Sequence, residues 1–416
     1  MKIDHQKILI YDGSKGAVLQ MQGLENGESA DAWNLTHPNT VSSLYRAYAA
    51  AGADILQTNT FCANRVQLSG HGLANRLYDI NYAGVALAKE AAAGLLVAAS
   101  IGPTGLITQP AGTLSFDEAY EIFREQIQPL ADAGADILHF ETFSNLCELR
   151  AALTAAQEFN LPVFATVTIE NQRTLYGNPA EVCALVCERL GATLTGINCS
   201  GGAESILGAI EAMHRAVSIP LLAKPNAGLP VLEAGKLTYT QTPEAFAAYA
   251  QSFVQNGVRL VGGCCGSTPE FIRALREAVD TLSPAPEFGP RGTFLASPYA
   301  FYDLTGLHAK TPVARITVCA DPYDVVEAAC EAEADVLLLD FSACEPDFDM
   351  AEFAANFSLS VRAPLIITGG EATPIHAFLR RYTGCAGVYP GVVETLKQAG
   401  LPDYGAQAIP SAILEG

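Results

Sequence analysis

Residues 51–61 read Ala-Gly-Ala-Asp-Ile-Leu-Gln-Thr-Asn-Thr-Phe, and residues 133–143 read Ala-Gly-Ala-Asp-Ile-Leu-His-Phe-Glu-Thr-Phe. Both copies share one plan. The glycine suits the left-handed turn that ends a helix, and Ala-Asp leads out of it into a short apolar run ending in Thr-Phe. The copies start 82 residues apart, comfortably two strand–helix units. Shared loop chemistry explains this echo without any functional meaning.

Read outward from these copies, the pattern recurs down the first 280 or so residues. Short apolar stretches rich in β-branched residues stand at 7–13, 53–61, 95–103, 135–143, 162–169, 194–200, 220–228 and 258–266. Alanine-rich segments long enough for a helix lie between most of them, as at 41–51, 116–133 and 243–256. Continuous apolar runs are what parallel strands buried on both faces require. Eight such units predict an α/β fold, a (β/α)8 TIM barrel, for which about 250 residues is typical. A doubly wound open sheet competes, but no glycine-rich dinucleotide fingerprint follows the first strand.

Pro284, Pro286, Gly289 and Pro290 then mark a linker at 284–290, which bounds a barrel domain at 1–283. Residues 291–416 alternate again, with strands expected at 312–318, 334–341, 364–370 and 386–391 and helices starting near Asp321, Phe348 and Thr373. This reads as a smaller α/β domain. It carries −9 of the chain's net charge of −20, a matter of solubility or a docking surface for a basic partner.

Composition narrows the function. Half the residues are hydrophobic and 16% are charged, which excludes a disordered chain. An acidic balance of 44 against 24 argues against nucleic acid or an anionic membrane as the main partner. No apolar run reaches the roughly 20 residues of a membrane span, and Met1-Lys2-Ile3-Asp4-His5 does not read as a signal peptide. Eleven cysteines, an odd count, suit reduced thiols for packing or metal better than a disulfide framework. The expectation is a cytoplasmic protein.

Catalytic groups of such barrels come from the C-terminal ends of the strands. Those ends carry Asp12-Gly13, Thr58–Phe61, Ser100–Gly105, Glu141-Thr142-Phe143, Asn198-Cys199, Pro225–Gly228 and Gly262-Gly263-Cys264-Cys265-Gly266. Adjacent cysteines in a regular strand face opposite ways, and flanking glycines allow the bend that aims both inward. Cys199 lies two units earlier, near enough to meet them. Three convergent thiolates without a histidine suit zinc, with a fourth position left for substrate. The competing reading is three small buried hydrophobes. Asp12 and Glu141 at the same mouth suit an ammonium group or acid–base work; capping of loops is the alternative. Ser100–Gly105 offers a weak anion site, and Asn226 is as well explained by its turn as by function. Cys183 and Cys187, four apart on a helical stretch, read as packing, as do Cys62, Cys147, Cys319, Cys330, Cys344 and Cys385; His139 reads as a core histidine.

Together the motifs at 12–13, 58–61, 100–105, 198–199 and 262–266 resemble the homocysteine S-methyltransferase family over about residues 1–283. Within it, 134–148 and 224–228 look most like the homocysteine-binding module of cobalamin-dependent methionine synthase. The resemblance implies zinc-dependent methyl transfer to the thiolate of homocysteine, giving methionine. It implies one zinc per chain on Cys199, Cys264 and Cys265, and a homocysteine amino group held by Asp12 and Glu141. Backbone around Gly13 would assist with the carboxylate, and Asn226 matches an asparagine that can fill the fourth zinc position. The family usually continues Gly-Met-Gly-Thr after Asp-Gly, whereas this chain has Ser14-Lys15-Gly16-Ala17, which puts substrate positioning in question. Residues 291–416 faintly resemble the start of a pterin-binding barrel, at half its length and without its Gly-Glu-Arg-x-Asn signature. No Asp-x-His-x-x-Gly corrinoid motif occurs, so the methyl group is expected on a separate methyl-corrinoid protein carrying methylcobalamin. Betaine or S-methylmethionine as donor, and a non-catalytic zinc- or thiol-binding regulator, are the alternatives.

Overall fold

The computed structural model describes residues 7–91, 94–233, 236–285, 292–304 and 311–409. The linker expected at 284–290 lies outside the described residues from 286 onward.

Eight parallel strands form the barrel: β1 (Leu9–Ile10), β2 (Ile55–Gln57), β3 (Leu96–Ile101), β4 (Ile137–Phe143), β5 (Val163–Val167), β6 (Leu194–Cys199), β7 (Leu221–Pro225) and, after an inserted hairpin of β8 (Pro230–Glu233) and β9 (Lys236–Tyr239), β10 (Val258–Val261). They pair in chain order, and β10 pairs with β1. The ring closes where Tyr11 bridges Ile55, with the Asp54 N–H donating to the Ile10 carbonyl at 2.8 Å. All eight expected strands are present but shorter, because their expected C-terminal ends leave the ladder as the loops that build the mouth.

One buried residue from each strand or its immediate continuation fills the inside: Tyr11, Ile55, Ala98, Ile137, Phe164, Leu194, Leu222 and Leu260. Side chains alternate along a strand, so the inward set continues two residues on. It reads Gln57, Ser100, His139, Thr166 and Lys224, then Glu141 and Asn198. The barrel interior thus changes from apolar to polar toward the C-terminal ends. His139 is a satisfied core group, bonded to Tyr11 Oη at 2.9 Å and Thr166 Oγ1 at 3.1 Å, and burial lowers its pKa to about 3.

The C-terminal part begins with a hairpin of β11 (Phe294–Ser297) and β12 (Ala300–Asp303), which periodicity did not reveal. A parallel sheet follows in sequential order: β13 (Val313–Thr317), β14 (Val336–Asp340), β15 (Leu365–Thr368), β16 (Gly387–Val388) and β17 (Gln407–Ala408). Three of its helices start near the expected positions, with Asp321 and Asp349 accepting backbone N–H bonds as caps, and a fourth at Pro390–Gln398 was not expected. The sheet has its own apolar core. It is tied to the barrel by Arg150, a buried guanidinium that donates to the carbonyls of Leu379, Arg380 and Gly384. Arg380 and Arg381 both pair with Asp117, and Ala296 bridges Cys385.

Cys183, Cys187 and Cys385 are buried, as packing requires. Cys319 and Cys330 are exposed, contrary to expectation. Cys330 sits on the outer side of a half-solvated helix (Pro322–Glu331) whose buried residues are Val325 and Ala329, so composition alone misjudged it.

Candidate functional site

At the barrel mouth the three cysteines of the sequence pattern come together. Cys199 Sγ lies 3.1 Å from Cys264 Sγ and 3.8 Å from Cys265 Sγ, and all three sulfurs fall within 4.8 Å of one another. The bend that delivers Cys199 is in its own loop: Cys199 and Ser200 have φ of 57° and 64°, a left-handed conformation uncommon outside glycine. On the other loop Gly266 has φ 79°, and a Cβ there would run into the Tyr239 ring. The Cys264 N–H donates to the Pro225 carbonyl at 2.8 Å, and Asn226 Oδ1 accepts the Cys265 N–H at 3.1 Å. Asn226 therefore lies against the cysteine loop, with a second lone pair on its oxygen.

The donor set fits zinc. Sulfurs bound at about 2.3 Å in a tetrahedron stand about 3.8 Å apart, the Cys199–Cys265 spacing, and the shorter pair needs to open by less than an ångström. Hydrogen bonds from Cys199 and then Cys264 lower the Cys265 thiol, while the contacts of Cys199 with Cys264 and then Cys265 raise Cys199. Three sulfurs within 4.8 Å of one another are a soft donor set suited to a divalent metal.

Beside them lies a buried charge network. Glu141 accepts from Ser100 Oγ at 2.5 Å, from Gln57 Nε2, and from Asn198 Nδ2 at 3.4 Å. Lys224, 2% exposed, donates to Gln57 Oε1, lies 3.8 Å from Glu141 and sits 4.2 Å above the Tyr11 ring. Asp12 is fully buried, and one oxygen takes the Gln57 N–H at 2.9 Å and the Lys15 ammonium at 2.5 Å. Its other oxygen, Oδ1, has no hydrogen-bond partner among the described residues. Burial raises the Asp12 carboxyl above its ordinary value against the pull of Lys15 and Lys224, and burial lowers Lys15 to about 8. Gly13 packs so closely that a Cβ would meet the Ser267 carbonyl at 2.5 Å.

Sequence reasoning found the cysteines and both carboxylates but missed Gln57, Lys224 and Lys15 as their partners. The inward parity that His139 and Glu141 share with Ile137 extends to Gln57 and Lys224, and could have found them. The loop at 100–105 is not free for an anion at Thr104, whose N–H and hydroxyl are both held by Glu148.

A parallel barrel with convergent thiols and an enclosed ion-pair network at its C-terminal mouth defines an enzyme of the (β/α)8 class. The family model described as Homocysteine S-methyltransferase matches residues 9–279, and the chain belongs to that family, making it a methyltransferase. It is 28% identical to the methionine synthase of Mycobacterium tuberculosis over 92% of this chain and 35% of that protein. It is 31% identical to the methionine synthase of Mycobacterium leprae over 66% of this chain and 24% of that one. The chain thus spans about a third or less of the length of these relatives. The metallated form of the homocysteine methyltransferase MmuM from Escherichia coli shares the fold, with a TM-score of 0.57 and 24% identity over 66% of this chain and 97% of that one. No helix among the described residues is long and apolar enough to cross a membrane.

Proposed function

We propose that this chain methylates the sulfur of homocysteine to give methionine, with one zinc held by Cys199, Cys264 and Cys265. The observation that carries the reading is the meeting of three thiols within 4.8 Å at the mouth of a barrel of this family. Zinc bound there would supply a Lewis acid that lowers the pKa of a substrate thiol, so that its proton is lost to solvent at neutral pH while the sulfur stays nucleophilic. The residues do the rest. Asn226 stands at the cysteine loop, where its side-chain oxygen accepts the Cys265 N–H and would border an incoming thiol. Asp12 and Glu141 face the amino group, and the backbone near Gly13 borders the amino acid's other end. A sulfur–carbon bond forms as the donor–methyl bond breaks, and the electron pair stays with the donor.

The donor in this reading is methylcobalamin on a methyl-corrinoid protein. Leu106, Ile107, Leu175, Leu229 and Val231 are exposed apolar side chains on the loops after β3, β5 and β7, a rim suited to a docked partner. Residues 1–283 form the barrel domain, 284–290 the linker, and 291–416 a shortened relative of a pterin-binding barrel. The separate parallel sheet of β13 to β17, with its own apolar core, supports that division.

Zinc-loaded protein given homocysteine and a methyl-corrinoid protein is expected to yield methionine. Methionine from betaine or S-methylmethionine alone would reassign the donor, and methionine from none would favour a zinc- or thiol-binding regulator. Asp12→Asn and Glu141→Gln each remove a charge that faces the ammonium group, a contact worth about 1.5–3 kcal/mol. Titration calorimetry should show homocysteine binding about tenfold weaker or more in each, with zinc content unchanged.

A further inference from the structure

We propose that Lys15 is the substrate-carboxylate anchor of this site, exchanging its ion pair with Asp12 for one with the incoming amino acid. The inference rests on the homocysteine reading and deepens it.

Two lysines enter the mouth, and they differ in freedom. Lys224 is immobilised between Gln57, Glu141 and the Tyr11 ring. Lys15 stands just before a short helix (Gly16–Met21) on the first loop, and its side chain keeps a tenth of its surface open to solvent. Its ammonium holds Asp12 at 2.5 Å and the Gly13 carbonyl at 3.0 Å. These two contacts, and a 5.2 Å approach to the Tyr48 ring, can be relinquished by rotating one flexible side chain.

The backbone alternative for the carboxylate is partly committed. The Ser14 N–H already donates to the Ser267 carbonyl at 3.0 Å, and the Ala17 N–H to Ser14 Oγ at 3.3 Å. Asp12 supplies the second, independent sign of a ligand: its Oδ1 is buried without a partner, a costly state that a substrate N–H would relieve. The four side chains Asp12, Glu141, Lys15 and Lys224 sum to zero charge. A zwitterion inserted between Lys15 and Asp12 keeps that balance, with its ammonium on Asp12 and its carboxylate on Lys15. A substrate carrying only one of the two charges breaks it.

The test is calorimetric binding of three thiols to the zinc-loaded protein: homocysteine, 4-mercaptobutyrate (no amino group) and 3-aminopropanethiol (no carboxylate). Lys15→Gln is expected to weaken homocysteine and 4-mercaptobutyrate at least tenfold and to leave 3-aminopropanethiol unchanged or tighter. Lys15→Arg, which keeps the cation, should retain most of the preference for a carboxylate. Unchanged or tighter homocysteine binding in Lys15→Gln would overturn the proposal and leave Lys15 as a counter-ion that competes with substrate. Equal loss for all three thiols would assign it a structural role and overturn the proposal too. If the parent protein binds none of them, the homocysteine reading itself fails, and with it this one.

Discussion

Cys264→Ala is expected to lose most of its zinc, with affinity falling more than a hundredfold and methyl transfer falling with it. An outer hydrogen-bond partner of a metal ligand already costs about 10–100-fold when removed, and Cys264 is proposed as a ligand itself. Its sulfur lies 3.1 Å from Cys199 Sγ and 3.8 Å from Asn198 Nδ2. Cys199→Ala and Cys265→Ala should behave alike. Cys183→Ala, a buried helix position in the apolar core, should keep full zinc and lose only about 1 kcal/mol of stability. Elemental analysis of dialysed protein checks all four. Metal removal should also speed amide exchange in the 262–266 loop, since ligand binding and local order are coupled there. Full zinc in the Cys264→Ala protein would remove that ligand from the account.

Lys224→Met is expected to destabilise the barrel by about 3 kcal/mol, the lower end of the cost of breaking a buried pair from one side. The low end applies because Glu141 keeps Ser100, Gln57 and Asn198 as donors when the ammonium is gone. Adding Glu141→Gln should recover part of the loss, as the uncompensated charge is then removed. Urea unfolding of the single and double variants measures both effects. A Lys224→Met protein as stable as its parent would mean that the ammonium is not holding the network.

The barrel was legible because its signal is repeated. Eight apolar runs separated by helical segments admit few other folds, and a TIM barrel's chemistry lies at one end of its strands. The cysteines were legible for the same reason, since Cys199 and Gly262–Gly266 follow strands β6 and β10, separated in the barrel only by β7. Partnership across the barrel was harder to see. Lys224 and Gln57 meet because inward residues on β2 and β7 converge on the axis, a distance that no local pattern encodes. The departure at Ser14–Ala17 was visible, but that Lys15 folds back onto Asp12 three residues earlier required the turn between them. The left-handed backbone at Cys199 and Ser200 carries no residue signature, because neither is a glycine. In the C-terminal part the hairpin at 294–303 went unread because its tight turn at Pro298-Tyr299 separates strands too short for periodicity. Exposed Cys319 and Cys330 mark the same limit: a small apolar side chain fits a solvated face as readily as a core.

The central claim is that three cysteines of this barrel form a zinc centre whose remaining position receives the substrate's sulfur. Zinc-edge X-ray absorption of the metal-loaded protein, before and after homocysteine is added, tests it most directly. Three sulfur neighbours and one lighter atom are expected before addition, and four sulfurs after it. A sulfur count that stays unchanged on saturation with homocysteine, or one that begins below three, would contradict the account.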